Sequence, residues 1–142
     1  MIRTGIRRRG KKRAGASSSL IAQLDDAART VCMLRAGAQR LDTGWWGACQ
    51  KCEKDRYLQW SHYIGRRLRR TRWEEDNTFA LCAGCHMGFD QKTSYLTMDE
   101  WVRNEIGEAR YHRLRYRITE TFKVDHKLTL VALKMRLKEL EK

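Results

Sequence analysis

Two cysteine pairs, Cys49-Gln-Lys-Cys52 and Cys82-Ala-Gly-Cys85, lie 29 residues apart and constrain the chain more than any other feature. A C-x-x-C turn aims two sulfurs at one point, and two such turns suit a tetrahedral ion with four thiolate ligands. The spacing therefore predicts one structural zinc held by Cys49, Cys52, Cys82 and Cys85. Four thiolates fill the shell of a zinc and leave no place for water, so this ion is expected to support the fold and not to do chemistry. A redox pair would instead open a helix after a buried strand of a parallel sheet, and no such pattern surrounds Cys49. The spacer is long enough to hold structure of its own. Cys32, the fifth cysteine, lies beside an apolar helical stripe and reads as a small buried hydrophobe.

The 142 residues give room for one domain with tails. No stretch approaches the ~18 consecutive apolar residues of a membrane span, and no apolar run follows the basic N-terminus as a secretory signal would require. The expectation is an intracellular protein with no membrane partner, where cysteines serve as ligands or free thiols.

Lys and Arg number 30 against 17 Asp and Glu, a net charge of +13. The excess is unevenly spread. Residues 1–13 hold Arg3, Arg7, Arg8, Arg9, Lys11, Lys12 and Arg13 with no acid. Such a segment has too little apolar surface to offset its ordering entropy, so residues 1–16 are expected to be a disordered basic arm. A second cluster comprises Arg66, Arg67, Arg69, Arg70 and Arg72. Clusters of this kind suit polyphosphates and give salt-sensitive, sequence-independent affinity for nucleic acid. DNA is the expected partner, contacted by both clusters.

Leu20, Leu24, Ala27, Val31, Leu34 and Ala38 follow a helical rhythm after three serines, which predicts a helix running to about Gln39. Residues 42–47 contain Gly44 and Gly47 and read as a loop. Trp45 and Trp46 within it could cover the core, the commoner role, or stack on bases. Residues 57–64 read as a strand, 65–78 as a polar loop and 78–81 as a second short strand. A short helix follows from Ala83. Thr97-Met-Asp-Glu100 has the form of a capping box before a helix carrying Trp101, Val102 and Ile106. Gly107 breaks it, and Tyr111, Leu114, Ile118 and Phe122 mark another helix. Asp125 can cap the last, whose Leu130, Leu133, Leu137 and Leu140 suit an amphipathic helix packed on its own domain.

Between the cysteine pairs stand Ser61-His62-Tyr63-Ile-Gly-Arg66 and Asp76-Asn77, and His86 directly follows the last cysteine in Leu81-Cys-Ala-Gly-Cys-His86. With Cys49-Gln-Lys-Cys52, these stretches resemble the HNH endonucleases, the ββα-metal nucleases. More narrowly they are similar to the phage branch that includes the NinG-type recombination nucleases. Leu24-Asp25 and Leu34-Arg35 fit before the frame, and Met98-Asp-Glu-Trp-Val102 with Ile106-Gly107 after it. The resemblance covers roughly residues 20–120.

The resemblance implies an α+β fold: a zinc-bound, treble-clef-like ββα-metal (HNH) core with flanking helices, mostly helical overall. It implies a nuclease domain over residues 17–123, followed by a C-terminal helix over 124–142. That helix would pack on the domain or mediate association, as a homodimer or with a phage recombination protein. The implied activity is metal-dependent hydrolysis of DNA phosphodiester bonds in recombination, DNA processing or packaging, within a bacterial host cytoplasm. His62 would be the general base, Asn77 would orient it or help at the metal, and His86 would ligate a single catalytic Mg²⁺ or Mn²⁺. Many HNH sequences carry Asp or His immediately before the base. Here that residue is Ser61, a poor ligand for a hard cation. Either waters take its place on the ion or another acid substitutes, Asp90, one helical turn beyond His86, ahead of Asp76.

The residues also admit plainer readings. Strand alternation puts His62 with Leu58, Trp60 and Ile64, where a histidine is often a bonded core residue. Asn77 suits an ordinary turn, and His86 could replace a cysteine at the zinc. His112 and His126 lie on predicted helices and are expected to be structural. The rival function is a non-catalytic zinc-stabilised nucleic-acid-binding protein, which would need no His62, Asn77 and His86 set.

Overall fold

In the computed structural model, which describes residues 18–90 and 95–142, the first apolar stripe forms helix α1 (Ser18–Arg35). The helix stops before Gln39 because of Gly37, whose φ of 73° is a left-handed conformation that glycine adopts without penalty. Ala38 N–H bonds Met33 O and Gly37 N–H bonds Leu34 O, both at 3.0 Å, which is a Schellman closure. The chain then enters β1 (Gln39–Leu41) and β2 (Gly44–Ala48), so residues 42–47 are largely a hairpin and not a loop. Two glycines weaken the strand signal there. The informative feature is the alternation of Trp45, which is buried, with Trp46, which is exposed.

β3 (Asp55–His62) and β4 (Thr78–Cys82) complete one antiparallel sheet in the order β1-β2-β3-β4. Between them lie a one-turn helix α2 (Arg69–Arg72) and a 3₁₀ turn, Glu75–Asn77. α3 (Ala83–Asp90) follows β4 directly. α4 (Tyr95–Ile106) begins two residues ahead of Thr97, so the Thr97–Glu100 box lies inside a helix and does not start one. Gly107, at φ 83°, separates α4 from α5 (Glu108–Tyr116). Ile118 and Phe122 fall beyond the end of α5. α6 (His126–Leu140) is capped by Asp125, whose carboxylate accepts from Leu128 N–H at 3.0 Å.

The described residues thus form an α+β chain with six helices and a four-stranded antiparallel sheet. Pairing of Leu58 with Cys82, Trp60 with Ala80 and His62 with Thr78 fixes which side chains share a face. That face meets α1: Arg29 lies over the Trp60 ring, and α6 packs behind α1 through Leu130 and Leu133. The opposite face carries Gln59 and Phe79, and it meets α3 and α4 through His86 and Trp101. Leu24, Val31, Phe79, Leu81 and Val102 are buried within this three-layer core. Burial of each contributes roughly 1.5–3 kcal/mol. Among the described residues no helix is long and apolar enough to cross a membrane.

Candidate metal centre and nucleic-acid interface

The strand β3 and the start of α3 bring the two cysteine pairs together. Cys49 and Cys52 form a tight turn in which Glu53 N–H bonds Cys49 O at 2.8 Å, with Glu53 itself at φ 63°. Gln50 ties that turn to β4: its N–H bonds Ala80 O at 3.1 Å, and its Oε1 accepts from Ala80 N–H at 2.6 Å. Cys82 ends β4 and Cys85 lies in the first turn of α3.

The four sulfurs all lie within 4.8 Å of one another, and those of Cys52 and Cys82 are 3.8 Å apart. A tetrahedron with arms of ~2.3 Å, the zinc–sulfur distance, has edges of ~3.8 Å. The group is placed to hold a metal ion and is consistent with a structural zinc. Burial opposes ionisation of Cys49, yet N–H groups at residues 52, 82 and 51 bring its thiol down to about 7. Burial and the neighbouring cysteine sulfurs push Cys85 up to about 12. Sulfurs this close resist ionising together, and a cation among them removes the conflict. Cys32 is buried away from this centre, and burial pushes its thiol up to about 11.

His62 is the last residue of β3, on the α1 side of the sheet, with its ring 4.3 Å from that of Trp60. Its Nε2 donates to Arg72 O at 2.9 Å. The other ring nitrogen, Nδ1, takes no hydrogen bond among the described residues and is not fully enclosed. Burial lowers the pKa to about 4 and keeps the ring neutral.

Asn77 is fully buried, and its side-chain hydrogen bonds go to residues other than His62. Its side chain accepts from Ile64 N–H at 2.6 Å and donates to Ile64 O at 3.0 Å and Thr71 O at 2.9 Å. It is a clamp that closes the loop between β3 and β4. Its own carbonyl accepts from Tyr63 N–H at 3.0 Å, directly after His62.

His86 projects from α3 to the other face. Its Nδ1 donates to Gln59 Oε1 at 2.7 Å, and Nε2 has no hydrogen-bond partner among the described residues. The ring does not join the cysteine group. Ser61, paired with Phe79 on this same face, is completely enclosed, and its hydroxyl donates to Gln59 O at 3.4 Å. An enclosed hydroxyl is no ligand for an ion at an open site. Asp90 closes α3, and its side chain lies outside the described residues. Among the described residues the four cysteines are the only group of three or more metal-ligating side chains, so no second ligand set is assembled around His86. His62 and His86 are on opposite faces of the sheet. The structure does not bring them to one point.

The arginine cluster divides. Arg66, Arg67 and Arg69 are exposed, and none of them forms an ion pair among the described residues. Arg70 and Arg72 are engaged in the fold. Arg70 donates to Ile118 O at 3.1 Å, and Arg72 grips Asp25 on α1. The side chain of Arg72 is therefore not free to contact DNA, a correction to the sequence expectation. Arg7, Arg8, Arg9, Lys11, Lys12 and Arg13, with the rest of the basic arm, lie outside the described residues. His112 bonds Glu108 at 2.9 Å, and the His126 ring meets edge to face the ring of Trp73, which itself bonds Asp25.

Asp25 and Gln59 are the residues whose importance the sequence hides. Asp25 interrupts an otherwise apolar helical face next to Leu24, a placement that asks for a buried partner. Gln59 gives no signal beyond its position two residues from Ser61. No protein-family model, curated protein or solved structure matches the chain.

Proposed function

We propose that the chain is a metal-dependent DNA endonuclease built around a cysteine-held zinc, with His62 as general base. The observation that carries the reading is the tethering of two histidines by one nitrogen each. His62 donates from Nε2 to a carbonyl, and His86 donates from Nδ1 to an amide oxygen. A neutral imidazole so held has its second nitrogen fixed as an acceptor. That is the state needed for a base taking a proton from water, and for a ligand whose outer nitrogen is oriented by an oxygen. Arg66, Arg67 and Arg69 stand on the loop that supplies the His62 tether, where they would hold phosphates. The β3–β4–α3 order also suits the strand–strand–helix unit that the sequence resemblance implies.

A divalent ion such as Mg²⁺ or Mn²⁺, when bound, would stabilise charge on the scissile phosphate. One imidazole does not make a site for a hard cation, so Asp90 would have to join His86.

The test is nicking of a supercoiled plasmid in EDTA, Mg²⁺ and Mn²⁺. His62→Ala should lower metal-dependent cleavage by ~10²–10⁴-fold with zinc content and DNA affinity retained. His86→Ala and Asp90→Asn should both lower it. A folded, zinc-loaded His62→Ala protein that cuts at the wild-type rate overturns the reading.

One observation favours a second reading. The two histidines leave β3 and α3 on opposite faces, and Gln59 and His62 are three residues apart, ~10 Å along a strand. A non-catalytic, zinc-stabilised nucleic-acid-binding protein needs no convergence of the two. On that reading the wild type binds DNA and cuts in none of the three conditions.

A further inference from the structure

Trp46 and Tyr57 face each other across β2 and β3, and both are turned outward. Trp46 is 38% exposed and Tyr57 50%, and their rings meet edge to face with centroids 5.1 Å apart. Tyr57 is held in place by a 2.7 Å hydrogen bond between its hydroxyl and that of Thr43. The indole N–H of Trp46 has no hydrogen-bond partner among the described residues. Strand alternation explains why one of two adjacent tryptophans points outward, but not why that position is a tryptophan.

The two rings line a groove of about 600 Å³ that also runs along Cys52, Cys82 and Cys85 of the metal centre and along Ala83 and Gly84 at the start of α3. Lys54, Asp55 and Arg56 line it; within β3 Asp55 shares the face of Tyr57 and Arg56 alternates to the other. Neither cation forms an ion pair among the described residues. Tyr57 and Gln59, the partner of His86, share a face of β3, ~7 Å apart.

We infer that Trp46 and Tyr57 form a stacking platform for unpaired bases, with Lys54 on an adjoining phosphate, so that the ligand is DNA with a single-stranded segment. The inference rests on the nucleic-acid reading above and names the substrate class that reading leaves open. Exposed rings on a sheet can stack only on a base released from its duplex neighbours, and every base offers such a face. The cations beside the rings and the chain's net charge of +13 suit a polyanion better than a protein surface.

The experiment measures binding of the full-length zinc-loaded protein, without Mg²⁺ or Mn²⁺, to a labelled oligonucleotide as a single strand and as a blunt duplex. Trp46→Ala should weaken single-strand binding by ~10–100-fold. Trp46→Phe should retain most of it, and duplex binding should change by less than about threefold. Tyr57→Ala should follow Trp46→Ala in direction. Unchanged zinc content and circular dichroism establish that the variants fold. Trp46→Ala and Tyr57→Ala proteins that bind the single strand as the wild type does overturn the platform while the nucleic-acid reading stands. Equal losses on single strand and duplex also overturn it. A wild type that binds neither form defeats both, whereas loss of plasmid nicking alone touches only the catalytic assignment.

Discussion

Both oxygens of Asp25 are taken by one loop: Oδ2 accepts from Arg72 Nη2 at 2.5 Å, and Oδ1 accepts from Arg72 Nε at 2.9 Å and from Trp73 Nε1 at 2.8 Å. Burial alone would raise the Asp25 pKa, but the Arg72 and Trp73 bonds reverse this and hold it below the usual carboxylate value. The pair joins α1 to the residue whose carbonyl tethers His62. Asp25→Ala should cost about 2–4 kcal/mol in urea unfolding, since it strands a guanidinium and an indole N–H in a mostly enclosed place. The neighbouring Asp26→Ala, exposed on the same helix, should stay within about 0.5 kcal/mol. Equal effects from the two substitutions would show that the clamp contributes nothing.

The cysteine centre makes a separate claim. Removing the ion with a strong chelator, or replacing Cys49 or Cys82 with serine, should unfold β3, β4 and α3 and not merely slow a reaction, because metal binding here is folding free energy. Elemental analysis should return one zinc per chain, and cobalt replacement should give the spectrum of a tetrahedral thiolate site. A metal-free preparation with native circular dichroism and an unchanged melting temperature would exclude the role.

The cysteine pairs, most of the strand expected at 57–64 (it runs Asp55–His62), the strand at Thr78 and the helix capped by Asp125 were legible because each rests on local chemistry: a turn, an alternation, a cap. The misread places depend on distant partners or on a stop signal outweighed by periodicity. Ala38 continues the apolar rhythm of α1, but Gly37 ends the helix one residue earlier. Trp45 and Trp46 become a strand because β1 and β3 pair with them on either side. Arg70 and Arg72 look like surface charges until Ile118 and Asp25, each more than forty residues away, take them up. Asn77 stood out in the sequence, yet its clamp on Ile64 and Thr71 is visible only once the loop is folded.

The neutrality of His62 predicts a pH dependence. Its pKa in the folded chain is lowered from the ordinary 6.5 to about 4, chiefly by burial. Between these values the unfolded chain binds the proton and the folded chain does not, so the contribution to stability is present above pH 6.5 and is lost as pH falls toward 4. At ~1.4 kcal/mol per pKa unit the loss approaches about 3 kcal/mol. The comparison should be with His62→Gln, which does not titrate. Acid also protonates the zinc thiolates, but both proteins share that effect and the difference isolates the ring. From pH 7 to pH 4.5 the wild type should lose roughly 2–3 kcal/mol more than the variant. Parallel curves would mean that the ring is not buried as described.

Arg66, Arg67 and Arg69 differ from Arg70 and Arg72 in what they have left to offer. The first three are exposed and form no ion pair among the described residues, whereas Arg70 bonds the Ile118 carbonyl and Arg72 bonds Asp25. Replacing the exposed three with alanine should leave urea stability within about 0.5 kcal/mol and weaken DNA binding of every sequence alike. Each phosphate that the protein no longer neutralises should reduce the slope of log K against log salt by ~0.9 on duplex DNA, so the triple variant should lower it by up to ~3. Arg72→Ala should behave in the opposite way, costing stability through the orphaned Asp25 carboxylate while the salt slope of the remaining folded protein hardly moves. Filter binding across a salt series, with chemical unfolding of the same samples, separates the two classes. A triple variant that keeps the wild-type salt slope would remove this loop from the DNA-binding surface.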